Sequence, residues 1–321
     1  MARSLAGASR YSRAQHQVPD PLTNRIGFLQ AVEELVRRWQ IEILLPVTDP
    51  SLLAILGERD RFQGALVPFP PHLSFREISD KERVLEQASM LGIATPSQIV
   101  LAHPEDRSRL DSADLRFPLV LKPTRSVGEA NGQPLKVGVE HVADRSTLVA
   151  ALQRLPAQAY PLLVQQRVVG PGVGLFLLLW QGEMLAVFSH RRIREKPPSG
   201  GVSVYRESIP ADPSLVERSR ALLERFHWRG VAMVEYKLDA ATGTPYLMEV
   251  NGRFWGSLQL AVDAGVDFPV LLVEAALGRA PRPVTDYRAG VRSRWWWGDV
   301  DHLLARLRRS RAQLALPPEA P

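Results

Sequence analysis

The sequence predicts an α+β chain, with a short α/β unit in front and a larger unit of strand pairs and helices behind it. Helical and strand-like apolar spacings alternate over residues 26–69, as in a parallel α/β unit. From about residue 75, apolar runs of strand length come in pairs joined by polar turns. The composition, 45% apolar and 23% charged over 321 residues, is that of a globular chain.

Residues 26–39 carry Ile26, Phe28, Leu29, Val32, Leu35, Val36 and Trp39 at helical spacing, with Arg and Glu on the other face. Residues 41–47 (IEILLPV) are a nearly continuous apolar run and read as a buried strand. Thr48-Asp49-Pro50-Ser51 supplies a loop and an N-cap for a helix over 52–56. Residues 66–69 are expected to form a further strand. The unit starts abruptly, so a first strand and helix are expected to be missing before Met1, through truncation or a misplaced start. The proline-rich stretch 68–71 marks a boundary. Beyond it, helices are expected at 78–91, 213–228, 257–264 and 268–277. Strands are expected at 117–122, 162–167, 173–180, 183–190, 231–238 and 245–250, with a polar, Gly-containing loop at 123–134. Three segments result: 1–75, 76–280 and a basic, Trp-containing stretch at 281–321 that ends in a disordered PPEAP. Trp295-Trp296-Trp297 is either an interfacial anchor or the aromatic run of a half-buried strand or docking segment.

Composition excludes several classes. There is no cysteine, hence no disulfide framework, thiolate metal site or cysteine nucleophile. The N-terminus has no apolar h-region and no run reaches bilayer length, so a cytoplasmic protein without a membrane span is expected. The net charge of +6 sits at the ends. Residues 1–38 contribute +3 and 279–321 contribute +5, which leaves −2 between them and no basic nucleic-acid platform. Only five of the 40 basic residues are Lys: Lys81, Lys122, Lys136, Lys196 and Lys237. A Lys kept in an Arg-rich chain is either a compact charge for a phosphate or a chance retention. No P-loop, HExxH, GxSxG or kinase signature occurs. GPGVG at 170–174 looks like a dinucleotide fingerprint but precedes a strand rather than a helix, so it is set aside.

The strongest local signal is the strand pair around 239–244. Folded as a hairpin, it brings Glu235 opposite, or one step from, Glu249. Glu249, Asn251 and Arg253 alternate onto one face. Paired carboxylates repel unless protonated or bridged by a cation, and oxygen-only ligands suit Mg²⁺. The same pattern also describes two solvent-facing glutamates beside an Arg. Lys122 ends a strand next to the Gly-bearing loop, and Lys81 starts a helix after Ser79-Asp80, an arrangement suited to polyphosphate.

Six motifs in order resemble the ATP-grasp superfamily: SDK at 79–81, GIATP at 92–96, FPLVLKP at 117–123, LVQQRVVG at 163–170, GVAMVE at 230–235 and MEVNGRFWGS at 248–257. The match covers roughly residues 78–278. The resemblance implies an ATP-grasp fold, two α+β subdomains clasping ATP, behind the tail of a preceding α/β domain. It implies an ATP- and Mg²⁺- (or Mn²⁺-) dependent ligase that activates a small carboxylate for an amine or similar nucleophile, and such ligases are often homodimers. Lys81 and Lys122 then match the lysines that contact ATP phosphates. The loop around Ser126–Gly128 matches the lid over them, and Gln165, Gln166, Arg167 and Val168 match the adenine hinge. Glu235, Glu249 and Asn251 match the metal ligands, and Arg253 matches a cation near the transferring phosphoryl group. The sequence departs where Gln165-Gln166 stand in place of the usual hinge carboxylate, and the lid is less Gly-rich than in biotin carboxylase.

His190, Arg192 and Arg194 alternate onto one face. They are either a cationic row for an anionic substrate or a basic surface ribbon. Trp255 and Ser257 follow the metal strand and are placed in the acceptor pocket. Two rival readings remain: an ATP-binding sensor or partner subunit without catalysis, and a peripheral membrane protein that uses the Trp cluster and the Arg-rich tail.

Overall fold

A computed structural model describes residues 4, 6–124, 128–130, 133–135, 138–311, 313–314 and 316, with backbone alone at 128–130 and 133–135. Ser126, Lys136 and residues 317–321 lie outside the described residues.

The front unit is mostly helical. Helix α1 (Arg25–Trp39) is capped by Asn24 and buries Phe28, Leu29, Val32 and Val36. Helix α2 (Asp49–Gly57) starts from a capping box between Thr48 and Ser51. Helices α3 (His72–Ile78) and α4 (Lys81–Met90) follow. The strands expected at 41–47 and 66–69 shrink to a single parallel bridge, Ile43 to Leu66. Pro46 and Pro68 remove backbone donors there, and two short segments without a third strand do not make a stable sheet. The single helix expected at 78–91 is also corrected. The Asp80 side chain accepts from the Arg83 N–H, so α4 begins at Lys81 and the residues before it close a helix of their own.

Strand β1 (Gln98–Leu101), β2 (Leu119–Pro123), the hairpin β3 (Gly128–Ala130) and β4 (Gln133–Leu135), β5 (Glu140–Val142), helix α5 (Arg145–Arg154) and β6 (Leu162–Gln166) come next. The β3–β4 hairpin occupies part of the expected polar loop. Antiparallel order β1-β6-β2-β5 gives a four-stranded sheet over its own small core.

The second sheet contains β7 (Gly172–Trp180), β8 (Glu183–Lys196), β9 (Val202–Ser208), β10 (Gly230–Leu238), β11 (Pro245–Asn251) and β12 (Arg292–Arg294) in the order β11-β10-β7-β8-β9-β12. Central β7 is buried along almost its whole length, which is why it reads as a continuous apolar run. Helices α6 (Pro213–Arg225), α7 (Leu258–Ala264) and α8 (Phe268–Ala276) complete this unit, whose core is continuous with that of the front helices. The tryptophan run is not a strand. Trp295 is the N-cap residue of α9 (Trp296–Arg308), and Trp295, Trp296 and Trp297 are 44%, 68% and 77% exposed. Among the described residues no helix is long and apolar enough to cross a membrane.

Candidate functional site

The turn between β10 and β11 is built by Asp239, whose side chain accepts from the Ala241 and Thr242 N–H groups. The turn pairs Leu238 with Pro245, and a bulge between Glu235 and Tyr236 then shifts the register by one residue, so that Glu235 falls directly opposite Glu249. From β11 a chain of contacts runs outward. Asn251 Nδ2 donates to Glu249 Oε1 at 3.0 Å, and Arg253 Nη2 donates to Asn251 Oδ1 at 3.3 Å. Arg253 Nε donates to Asp49 Oδ2 at 2.9 Å, so the first turn of α2 orients the guanidinium. The GIATP segment holds this strand in place, with the Leu247 N–H donating to Ala94 O at 2.9 Å.

The two lysines converge from different elements. The Lys81 N–H, at the start of α4, donates to Thr124 O just past β2, at 2.9 Å. Lys81 Nζ lies 3.5 Å from Glu249 Oε2. Lys122 is buried at the end of β2. Burial pushes its ammonium down to about 8, with Glu249 pulling up and Lys81 pushing down.

Arg192 reaches the same cluster from β8, crossing β7. Its guanidinium lies 2.5 Å from Glu235 Oε2 and 2.9 Å from Glu195 Oε1. The crossing needs room on β7. A Cβ on Gly172 would stand 2.8 Å from Arg192 Cδ, and one on Gly174 would stand 2.9 Å from His190 Nε2. The GPGVG stretch is therefore a pair of gaps in a strand. Glycines at i and i+2 within a strand pattern were the available signal. The two carboxylates separate electrostatically. Burial raises the Glu235 carboxyl above its ordinary range, with Glu249 adding to the rise against the pull of Arg192. Burial would also raise Glu249, but Lys81 and Lys122 outweigh it and hold this carboxyl low.

These groups line a cleft of about 550 Å³ between the two sheets. Gln165 to Val168, expected as a hinge, form one wall. Gln165 is 2% exposed and its Nε2 donates to Gln98 Oε1 at 2.8 Å, so this side chain is turned to β1. The Gln166 and Arg167 N–H groups donate to Ser97 O and Pro118 O, and Arg167 Nη2 donates to Ser199 O at 3.2 Å. The Val168 N–H has no acceptor among the described residues. His141, which the sequence reading missed, lines the cleft beside the hinge. Burial, then Arg167 and Lys237, push it down to about 4. His190, Trp255 and Ser257 line the other end, with Trp255 packed on Phe176 at a ring-centroid distance of 4.2 Å.

Arg194 does not join the cationic row. The β8–β9 register shifts on both sides of Arg194, and its Nε pairs instead with Asp299 Oδ1 of α9 at 3.1 Å. A bulge re-aims the side chains that follow it, which simple alternation does not foresee. Arg194 lines a second cavity of about 810 Å³ beside α9. Of the two residues expected in a lid, Gly128 opens β3, while Ser126 falls outside the described residues.

Two facing carboxylates and an amide are an all-oxygen, hard donor set. It suits Mg²⁺ better than a softer metal and leaves up to half of an octahedral shell to phosphate oxygens and water. Lys81, Lys122 and Arg253 beside it suit the anionic end of a nucleotide.

The family model described as "ATP-grasp in the biosynthetic pathway with Ter operon" matches residues 158–297. No curated protein matches the chain in sequence. Among solved structures, the chain is similar to an L-amino acid ligase from Bacillus licheniformis, with TM-score 0.62, 20% identity, and coverage of 82% of this chain and 63% of that one. The biotin carboxylase domain of the Hydrogenobacter thermophilus 2-oxoglutarate carboxylase, solved with MgADP and bicarbonate, gives TM-score 0.64, 16% identity, and coverage of 82% and 60%. A D-alanine–D-alanine ligase from Bacillus anthracis, complexed with ATP, gives 0.56, 22%, and 77% against 83%. The chain thus spans less than two thirds of the first two, and at these identities the likeness is one of fold.

Proposed function

We propose that this chain, which has the ATP-grasp fold, is an ATP- and Mg²⁺-dependent ligase that activates a substrate carboxylate as an acyl phosphate. The observation that carries this reading is Glu235 facing Glu249 within one cleft with Lys81, Lys122, Asn251 and Arg253. A substrate carboxylate oxygen attacks the γ-phosphorus of ATP, the bond to the bridging oxygen breaks, and ADP leaves. An amine or similar nucleophile then attacks the acyl carbon, inorganic phosphate leaves with the bonding pair, and the amine loses a proton. Mg²⁺ on Glu235, Glu249 and Asn251 supplies charge neutralisation to the polyphosphate. Lys81 and Lys122 hold phosphate oxygens, and the backbone at Gln165–Val168 faces the adenine. Arg253, steadied by Asp49, offsets charge on the transferring group, with Lys122 beside it. Trp255 and Ser257 line the acceptor side. The likeness to amino acid ligases supports small carboxylate and amine substrates, and a homodimer in the cytoplasm is part of the same reading.

One observation favours a second reading, a nucleotide-binding sensor or partner subunit. Gln165 is turned to Gln98 and gives the hinge no side-chain contact of its own. ADP release with Mg²⁺-ATP, scanned over pooled amino acids and small carboxylates, decides between them. Stimulation by one pool, absent in Glu249→Ala, supports the ligase. ATP binding without stimulation by any pool supports the sensor.

A further inference from the structure

Helix α9 is fastened to the second sheet along one side. Its buried residues are Gly298, Asp299 and His302. His302 Nδ1 lies 2.6 Å from Glu195 O, and a Cβ on Gly298 would stand 2.7 Å from Val204 Cγ1, so the helix approaches β8 and β9 closely. Both acidic residues of the helix are taken up by cations of the sheet. Asp299 pairs with Arg194 and Arg294, and Asp301 pairs with Lys196. These contacts fix which face of α9 points outward.

The outward face is apolar. Trp296, Val300, Leu303 and Leu307 stand at i, i+4, i+7 and i+11, a single stripe about 17 Å long at a rise of about 1.5 Å per residue. All four are exposed, Leu303 by 55% and Leu307 by 73%, and exposed Trp297 widens the stripe at its start. Large apolar side chains scattered singly over a surface are ordinary, but a contiguous row of them marks a contact site. The edges of the row are cationic. At about 100° per residue, Arg306 falls on one side of the stripe and Arg308 on the other. Neither has a carboxylate within 4.0 Å among the described residues. Arg294 lays its guanidinium over the Trp296 ring, 4.9 Å from the centroid.

We propose that α9 docks the protein on an anionic lipid surface, with the stripe in the headgroup boundary and Arg306 and Arg308 on lipid phosphates. An apolar face that carries Trp and is bordered by Arg is the composition of a helix lying in the plane of a membrane interface. Trp suits that depth because its ring is apolar and its N–H is polar. The stripe is also the convex outside of a helix, which a fluid surface covers without a matching pocket. A second copy of the chain is a poorer match. A two-fold contact would set this face against itself, and residues 279–321 carry a net +5, so like charges would meet. The attachment is independent of the chemistry in the cleft.

The test is co-sedimentation of the full chain with vesicles of phosphatidylcholine alone and of phosphatidylcholine mixed equally with phosphatidylglycerol. The wild type is expected to partition about tenfold or more strongly onto the anionic vesicles. Most of that preference should vanish at about 1 M salt, where the screening length is about 3 Å. Trp296→Ala/Leu303→Ser is expected to lower partitioning onto the anionic vesicles about tenfold or more, with the melting temperature unchanged because both side chains are exposed. Arg306→Gln/Arg308→Gln is expected to narrow the difference between the two vesicle types. No sedimentation of the wild type with anionic vesicles, or sedimentation that both variants retain in full, overturns the inference. So does a lipid-free dimer in light scattering that Trp296→Ala/Leu303→Ser abolishes, since a second copy would then cover the stripe. Binding to soluble polyglutamate as tight as to the vesicles, and unchanged in Trp296→Ala/Leu303→Ser, overturns it as well, because charge alone would then account for the contact.

Discussion

Arg192→Met is expected to turn the carboxylate cluster from a paired one into a repelling one. Arg192 is the only cation within 4.0 Å of Glu235 among the described residues, and it also holds Glu195. Its side chain is 9% exposed and that of Glu235 is 15% exposed, so water compensates little. Removing one partner of such a buried pair costs about 3–5 kcal/mol. For 321 residues the unfolding entropy is about 0.7 kcal/mol/K, which converts that cost to a fall in melting temperature of about 4–7 °C. The assay is thermal unfolding with and without Mg²⁺. A divalent ion takes over the neutralising role, so Mg²⁺ is expected to recover more stability in the variant than in the wild type. Arg192→Met/Glu235→Gln is expected to recover most of the loss without metal, because the repelling charge is gone. An Arg192→Met protein that melts with the wild type and ignores Mg²⁺ would refute the reasoning.

Three further outcomes are expected. Protonated Lys122 is the phosphate-binding form and is populated below about pH 8, so ATP affinity should fall roughly fivefold between pH 8 and 9, and Lys122→Arg should abolish the fall in a fluorescence titration. Gly174→Ala puts a Cβ 2.6 Å from the Phe176 ring and 2.9 Å from His190, and overpacking of this kind costs about 1–3 kcal/mol, read by urea unfolding. Asp49→Asn leaves Arg253 without its charged partner and should lower kcat about tenfold with little change in the KM for ATP, as steady-state ADP release would show.

What the sequence revealed of the site is what lies on one hairpin or repeats a short pattern. Glu235, Glu249, Asn251 and Arg253 are tied by strand alternation and a turn, so their convergence is legible to within one step of register, and the bulge beside Glu235 decides that step. Lys81 and Lys122 were legible as lysines in an Arg-rich chain, but their approach depends on Thr124 accepting from the start of α4. Asp49 was read only as part of a helix cap, because the partner it orients stands 204 residues away. Arg192 reads from sequence as part of either a cationic row or a surface ribbon; its reach across β7 to Glu235 depends on two glycines that the sequence offers only as a discarded nucleotide motif. Alternation failed at Arg194 because the register shifts on either side of it. The fold followed the same division. Long apolar strands such as β7 were visible, whereas α9 carries too mixed a face for its Trp run to announce a helix.

The central claim is that Glu235 and Glu249 hold a metal ion shared with a nucleotide. Calorimetric titration of ATP into the wild type and into Glu249→Ala, each with Mg²⁺ and with chelator, tests it most directly. ATP should bind the wild type at least tenfold tighter with Mg²⁺ than without, and the difference should disappear in Glu249→Ala. ATP affinity that is indifferent to Mg²⁺ in the wild type, or an undiminished Mg²⁺ effect in the variant, would contradict the claim.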